Sequence, residues 1–418
     1  MKHKKLTTSC FISKQQQGFT LIEFMVASVL GLVVIAGAGA LYSYTKRLND
    51  IGQARVATLQ DLRNASTMIG QDARTAGVFG CANLGRYHDP DANTTKKRGI
   101  EIQYDGTALP AANQLIQPLT LAGTAPDAAA GVRWIKASDV KAGKANSIWT
   151  SSGVTLTPAA NSGVLLFYYG EGSLAYKGFS GTAVTFGTKE QHPNKTVENL
   201  LTDGGKGGYV VAAGCNDLVF KQVDGKHAKN ADFSVTIPDP TIAIANSTVT
   251  GSTTSISDHA DMILQRYKVV AYVVGDIAGE PTSLYRFEFG NNGDYWSAPQ
   301  QLAKNVKKME ADFLFVTDCK SGMLNTSGGS GGVASGDLNS QQFDVKSADD
   351  GDTFAVGTDN HGPSSVHLTL TYNFPKIRGG TVPTGKIDAA GNPEDEKFDI
   401  SAVVRGGNVC ASRKIVPL

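Results

Sequence analysis

No charged residue stands between Phe24 and Tyr42. At about 1.5 Å per helical residue this apolar run reaches roughly 28 Å, close to the roughly 30 Å hydrocarbon core of a bilayer. Charge is sparse throughout: 18% of the 418 residues are Asp, Glu, Lys or Arg, and the formal net charge is +1. Such a balance gives no general case for nucleic-acid binding. Cysteine is scarce too, at five, and no CxxC pair or His/Cys cluster has zinc spacing. No Gly-x-Ser-x-Gly elbow occurs, and His259, His361 and His367 lack spaced partners, so a nucleophile with its base has no support. Residues 380–386 open like a phosphate loop, but Ile387 stands where Ser or Thr should hold magnesium and Pro383 breaks the nest. Gly204-Gly205-Lys206-Gly207-Gly208 reads as a turn. These absences lead to the expectation of a protein that is not an enzyme, with no catalytic residue, no metal and no cofactor.

The apolar run begins at Phe19 and holds one acid, Glu23, near its start. An acid in such a helix costs roughly 2.5–3.5 kcal/mol on insertion scales for Asp, and such residues are usually paired and functional. Ahead of the run lies a polar leader, residues 1–18, with Lys2, Lys4, Lys5 and Lys14 and no acid. Lys14-Gln15-Gln16-Gln17-Gly18 followed by Phe19-Thr20-Leu21-Ile22-Glu23 resembles the cleavage and methylation site of type IV prepilins and related pseudopilins. The resemblance implies cleavage after Gly18 by a membrane aspartyl prepilin peptidase and N-methylation of the new amino group on Phe19. It also implies pairing of Glu23 with the Phe19 amine of a neighbouring subunit. Without the leader, 35 basic residues face 38 acidic ones, a net charge of about −3. An ordinary secretory signal discards its apolar segment, whereas here that segment is retained.

Beyond Tyr44 the apolar positions Leu48, Ile51, Leu59, Leu62, Ile69 and Ala73 recur at spacings built from three and four, with Arg55 interrupting the stripe. Lys46, Arg47, Asp50, Asp61, Arg63, Asp72 and Arg74 are read onto the water face. The pattern predicts one helix from Phe19 to about Ala76, apolar all round at first and one-sided later, ended by Gly77 and Gly80. Gly31, Gly37 and Gly39 each cost the membrane half about 1 kcal/mol of helix stability relative to Ala; they serve close helix packing or local melting when the subunit leaves the membrane, or reflect the small-residue tolerance of membrane helices. The stretch from Gly70-Gln71-Asp72-Ala73-Arg74 to Gly80-Cys81 resembles the helix end of the PilW group of minor pilins. Gly214-Cys215-Asn216-Asp217, Leu284-Tyr285-Arg286 with Trp296, and residues 302–315 are similar to that group in the same order.

The remainder reads as a β-rich head, giving an α+β, pilin-like chain with a long N-terminal helix packed on it. Expected divisions are the leader 1–18, the transmembrane or filament-core helix 19–45, the amphipathic half 46–80, a first β-rich part 81–263 and a second 264–418. Residues 81–161 read as loops and short strands, and 238–258 as an exposed loop. Strands are expected at 164–169, 183–186, 209–212, 218–223, 233–237, 267–274, 284–289, 311–316, 366–372 and 398–404. Gly290-Asn291-Asn292-Gly293 signals a hairpin. Residues 302–309 read as a short helix and 320–363 as a surface insertion. In the insertion Asp349, Asp350 and Asp352, like Asn291, Asn292 and Asp294 elsewhere, have calcium-type oxygen ligands, but the EF-hand Glu is missing and a solvated loop is the reading kept. Cys10 leaves with the leader; Cys81, Cys215, Cys319 and Cys410 remain for an oxidising periplasm. Four cysteines permit three pairings, which spacing does not choose among; the working expectation is one staple per half, Cys81–Cys215 and Cys319–Cys410.

The resemblance implies a structural protein: a PilW-type minor pilin, anchored in the inner membrane with its head in the periplasm, then carried into the pilus. Its implied partners are prepilin peptidase, other minor pilins, the major pilin and a PilY1-type tip protein. No specific nucleic acid is expected. The alternatives are a type II secretion pseudopilin, or an adhesin or DNA-uptake module.

Overall fold

The computed structural model describes residues 20–84, 101–106, 115, 128–129, 131–150, 152–187, 189–190, 195–203, 208–215, 217–223, 225–228, 231–237, 262–289, 296–318, 342–347, 363–374 and 395–405. Helix α1 spans Leu21–Thr75 as one 55-residue rod. The head begins with the short strands β1 (Val78–Phe79), β2 (Ala82–Asn83), β3 (Glu101–Asp105), β4 (Ala128–Ala129) and β5 (Val132–Ile135). Two single-turn helices follow, α2 (Ala137–Lys141) and α3 (Asn146–Thr150), then β6 (Leu156–Pro158), β7 (Val164–Ser180) and β8 (Ala183–Phe186). Next come α4 (Thr196–Asp203), β9 (Tyr209–Ala213), β10 (Asp217–Gln222), β11 (Phe233–Thr236), β12 (Ile263–Ile277) and β13 (Ser283–Phe289). The last strands are β14 (Gln300–Lys304), β15 (Val306–Asp318), β16 (Gln342–Ser347), β17 (Ser365–Tyr372) and β18 (Glu396–Val403). This is the α+β, pilin-like architecture read from sequence: a long apolar-to-amphipathic helix followed by a β-rich head.

Among the described residues the head holds a twelve-stranded sheet and a four-stranded one, besides the β1–β2 pair. Strand β12 is the axis of the large sheet. It pairs with β7 from Ile263 to Val273 and continues on that edge with β6; its other edge takes β9 and then β13. The run Tyr267–Val274 is buried on both faces, so it is apolar without alternation. The small sheet has the order β16-β15-β17-β18, all antiparallel.

Three cores follow. The first joins the helix to both sheets: Leu62, Ala65, Ile69 and Ala73 of α1 meet Val270 and Tyr272 of β12, Phe313 of β15, Leu368 of β17 and Ile400 of β18. The second lies on the opposite face of the large sheet under Ile148 and Trp149 of α3. The third is filled by Phe186, Leu200, Val219, Phe233 and Leu264 beneath α4.

Several sequence expectations are corrected. Residues 302–309 form no helix: β14 ends at Lys304, Asn305 adopts φ 59°, and β15 begins at Val306 in the other sheet. Val306 and Met309 mimic helical spacing because a bulge between Val306 and Lys308 returns both to the buried face. Asp72 is not on the water face; it is 7% exposed. Leu48 is not a core residue but 49% exposed, and Arg55, read as an interruption, lies 5.0 Å from the Phe374 ring centre, at the edge of the head. The short helices α2 and α3 stand within the stretch read as loops and short strands. Strand β16 stands inside the stretch read as an insertion. The 263/264 division falls within β12, and the chain passes between the two sheets at Asn305.

Candidate functional site

Gly18 and Phe19 lie outside the described residues, so the candidate site is seen from Thr20 onward. Thr20 caps α1 in a reciprocal box. Its backbone N–H and its hydroxyl donate to Glu23 Oε2 at 3.1 and 2.9 Å, and its Oγ1 accepts the Glu23 N–H at 3.3 Å. The carboxylate is thus held by one oxygen at the tip of the helix. Around it Leu21, Ile22 and Phe24 are 78%, 70% and 69% exposed. The described residues of the head cover none of this apolar half, and Gly31, Gly37 and Gly39 have open space around them. An apolar surface of that length suits a bilayer or a bundle of like helices.

The upper end of α1 is built for the opposite purpose. Asp72 extends into the first core, where Tyr169 and Tyr272 donate to it at 2.8 and 2.5 Å and Arg286 Nε at 3.1 Å. From Arg286 the charges alternate across the sheet: Arg286 pairs with Glu288, Glu288 with Lys268 at 3.4 Å, Lys268 with Glu171 at 3.4 Å, and Glu171 with Arg266 at 3.6 Å. Burial, and then the Asp72 carboxylate, push both tyrosines above their usual range, so they remain donors. Burial alone would lower Arg286, but Asp72, Tyr272 and Glu288 together outweigh it and the guanidinium stays charged. Burial likewise opposes ionisation of Glu288, and Lys268 with Arg286 overcome it and hold its carboxyl below the usual range. The Asp72 carboxylate accepts from two tyrosine hydroxyls and the Arg286 guanidinium, so this cluster fastens the helix to the head. The sequence clue was an acid three residues after Ile69, inside the apolar stripe.

The chain leaving α1 is clamped again. Gly77, at φ 76°, donates its N–H to Tyr168 O at 2.8 Å, and a Cβ on Gly131 would lie 2.0 Å from Gly77 N. Cys81 is disulfide-bonded to Cys215, tying the segment after the helix to the β9–β10 turn. Cys319 and Cys410 lie outside the described residues. So do His259, His361, residues 204–207 and 380–386, the 238–258 loop, the 290–293 turn and both candidate calcium clusters.

His367 is exposed on β17, with Nδ1 3.0 Å from Ser401 Oγ and Nε2 3.8 Å from Asp399. These residues share the open face of the small sheet, where Asp399 also accepts the Thr369 hydroxyl at 2.8 Å.

Residues 13–39 match the family described as the prokaryotic N-terminal methylation motif. No curated protein and no solved structure matches the chain. The motif and the apolar helix it opens mark a pilin- or pseudopilin-like protein that is processed by prepilin peptidase, anchored at first in the inner membrane and then assembled with other pilins.

Proposed function

We propose that the protein is a minor pilin of the PilW type with a structural, non-enzymatic role in starting type IV pilus assembly at the filament tip. The observation that carries this reading is a methylation motif running into a 55-residue helix whose apolar half the head leaves uncovered. In this reading the chain is cut after Gly18, Phe19 is N-methylated, and Glu23 takes the Phe19 amine of a neighbour while the apolar half-helix enters the filament core. Glu23 Oε2 is engaged by Thr20, and among the described residues Oε1 has no hydrogen-bond partner, which leaves it for that amine. The size of the head supports a rare tip position, because a domain of this bulk crowds a repeating shaft. The partners would be other minor pilins, the major pilin and a large adhesin-like tip protein.

The test is mass spectrometry of the N-terminal peptide in cells with and without prepilin peptidase. The expected species begins at N-methylated Phe19 and appears only with the peptidase; a terminus retained in the leader overturns the reading. Glu23→Ala is expected to be cleaved yet to fail in assembly. A chromosomal deletion separates the two filament systems: lost twitching with intact secretion supports a pilus, and the reverse outcome a secretion pseudopilus.

A further inference from the structure

The large sheet ends in a strand whose outer edge is closed by side chains. Among the described residues β11 pairs with β8 alone, with Ser234 opposite Thr185 and Thr236 opposite Ala183. Two backbone groups on its far side meet residues from the other end of the sheet. The Thr236 N–H donates to Asp105 Oδ2 at 2.7 Å, and the Ser234 carbonyl accepts Lys221 Nζ at 2.9 Å. Asp105 ends β3 and Lys221 lies beside it in β10, in the parallel ladder that pairs the two positions. Their own ion pair is 2.7 Å long, with side chains 15% and 28% exposed, and the Lys221 ammonium sits 5.5 Å from the Phe233 ring centre. The two ends of the strand order are therefore drawn together over the third core by a clasp of side chains.

An unpaired edge is a template for a further strand, and proteins guard such edges with charge. Here the guarding groups sit directly on the hydrogen-bonding positions. We infer that the Asp105–Lys221 clasp is an autoinhibitory contact that keeps the β11 edge from pairing with the β11 edge of a second copy. A second copy is the fitting occupant because an antiparallel edge is self-complementary about a two-fold axis. Ser234 and Thr236 are exposed and uncharged, so two such edges meet without like charges opposed. Lys177, the nearby cation, is neutralised by Asp232. The clasp thus serves the monomeric head whatever filament the helix joins.

The test uses the full chain in detergent micelles with a photo-crosslinking amino acid at position 236, which leaves the backbone N–H in place. The parent is expected to give no dimer through this position, and Asp105→Ala combined with Lys221→Met to give a dimer band that grows with concentration. At concentrations too low for the dimer, hydrogen exchange at the Thr236 N–H is expected to accelerate in the same variant while 267–274 stays protected. A double variant that folds and gives no dimer, or a parent that crosslinks equally well, overturns the inference. If the double variant loses protection throughout β12, Lys221→Met alone carries the test: it frees the Ser234 carbonyl and should give a weaker dimer band, and its absence is equally decisive.

Discussion

Asp72 shows how one residue sets the value of a whole surface. Its carboxylate is buried with Arg286, Tyr169 and Tyr272 as partners, so removing it takes the acceptor from two buried hydroxyls and from the Arg286 Nε, leaving the buried guanidinium to its pair with Glu288. Breaking a buried pair from one side costs about 3–5 kcal/mol, far more than an exposed pair contributes. Asp72→Ala is therefore expected to destabilise the head by about that amount in denaturant titration. Asp61→Ala, on the same helix, should shift the midpoint little. A second prediction concerns pH. Glu288 has its carboxyl held below the usual range by Lys268 and Arg286 against the effect of burial. A depressed folded-state value means the stabilisation is present above the ordinary carboxylate pKa and is lost as pH falls through the folded value. Stability should hold from neutral pH to about 5 and decline below it. Glu288→Gln should flatten that decline; an unchanged acid limb would remove Glu288 from the account.

Among the elements, the small sheet carries the clearest test. β15 and β18 are both antiparallel to β17, so they run in the same direction and leave the sheet at the same end. Cys319 follows β15 at once, and Cys410 comes seven residues after Val403. Two strand spacings are about 10 Å, and seven residues reach up to about 24 Å, so the chain can bring the two cysteines together. Non-reducing peptide mapping is expected to find Cys319 linked to Cys410 alongside the Cys81–Cys215 bridge. A peptide joining Cys81 or Cys215 to either of the others would contradict it. The strand positions were largely legible, because β-branched and aromatic runs such as 183–186 and 366–372 alternate on a half-buried sheet. The helix expected at 302–309 was not there, because a bulged strand and a helix both bring residues three apart to one side.

At the scale of the molecule, α1 is divided near Arg55: below it the helix leaves the head, and above it Leu62, Ala65, Ile69 and Ala73 are core. A chain beginning at residue 46 is expected to unfold at the same temperature as the full chain, followed by circular dichroism. A chain beginning at residue 78 loses the helix from the first core, with each large apolar residue worth about 2–5 kcal/mol. It is expected to be insoluble or to melt without cooperativity. Equal melting of the two would mean the helix is an appendage of the head.

Sequence by itself determined the N-terminal motif and the division of the chain into a rod and a β-rich head. The methylation motif, the uncharged run and the periods of three and four are local properties, read within a few turns or one bilayer thickness. Tertiary structure decided the rest. Asp72 and Asp61 are alike as acids on a helix, and only the sheet opposite, with Arg286 214 residues away, makes one a buried partner. Asp105 and Lys221 lie 116 residues apart and meet because β3 and β10 pair in parallel, and they reach Ser234 and Thr236 because the two ends of the strand order are drawn together. Such pairings depend on which strands become neighbours, and no window of sequence holds both partners.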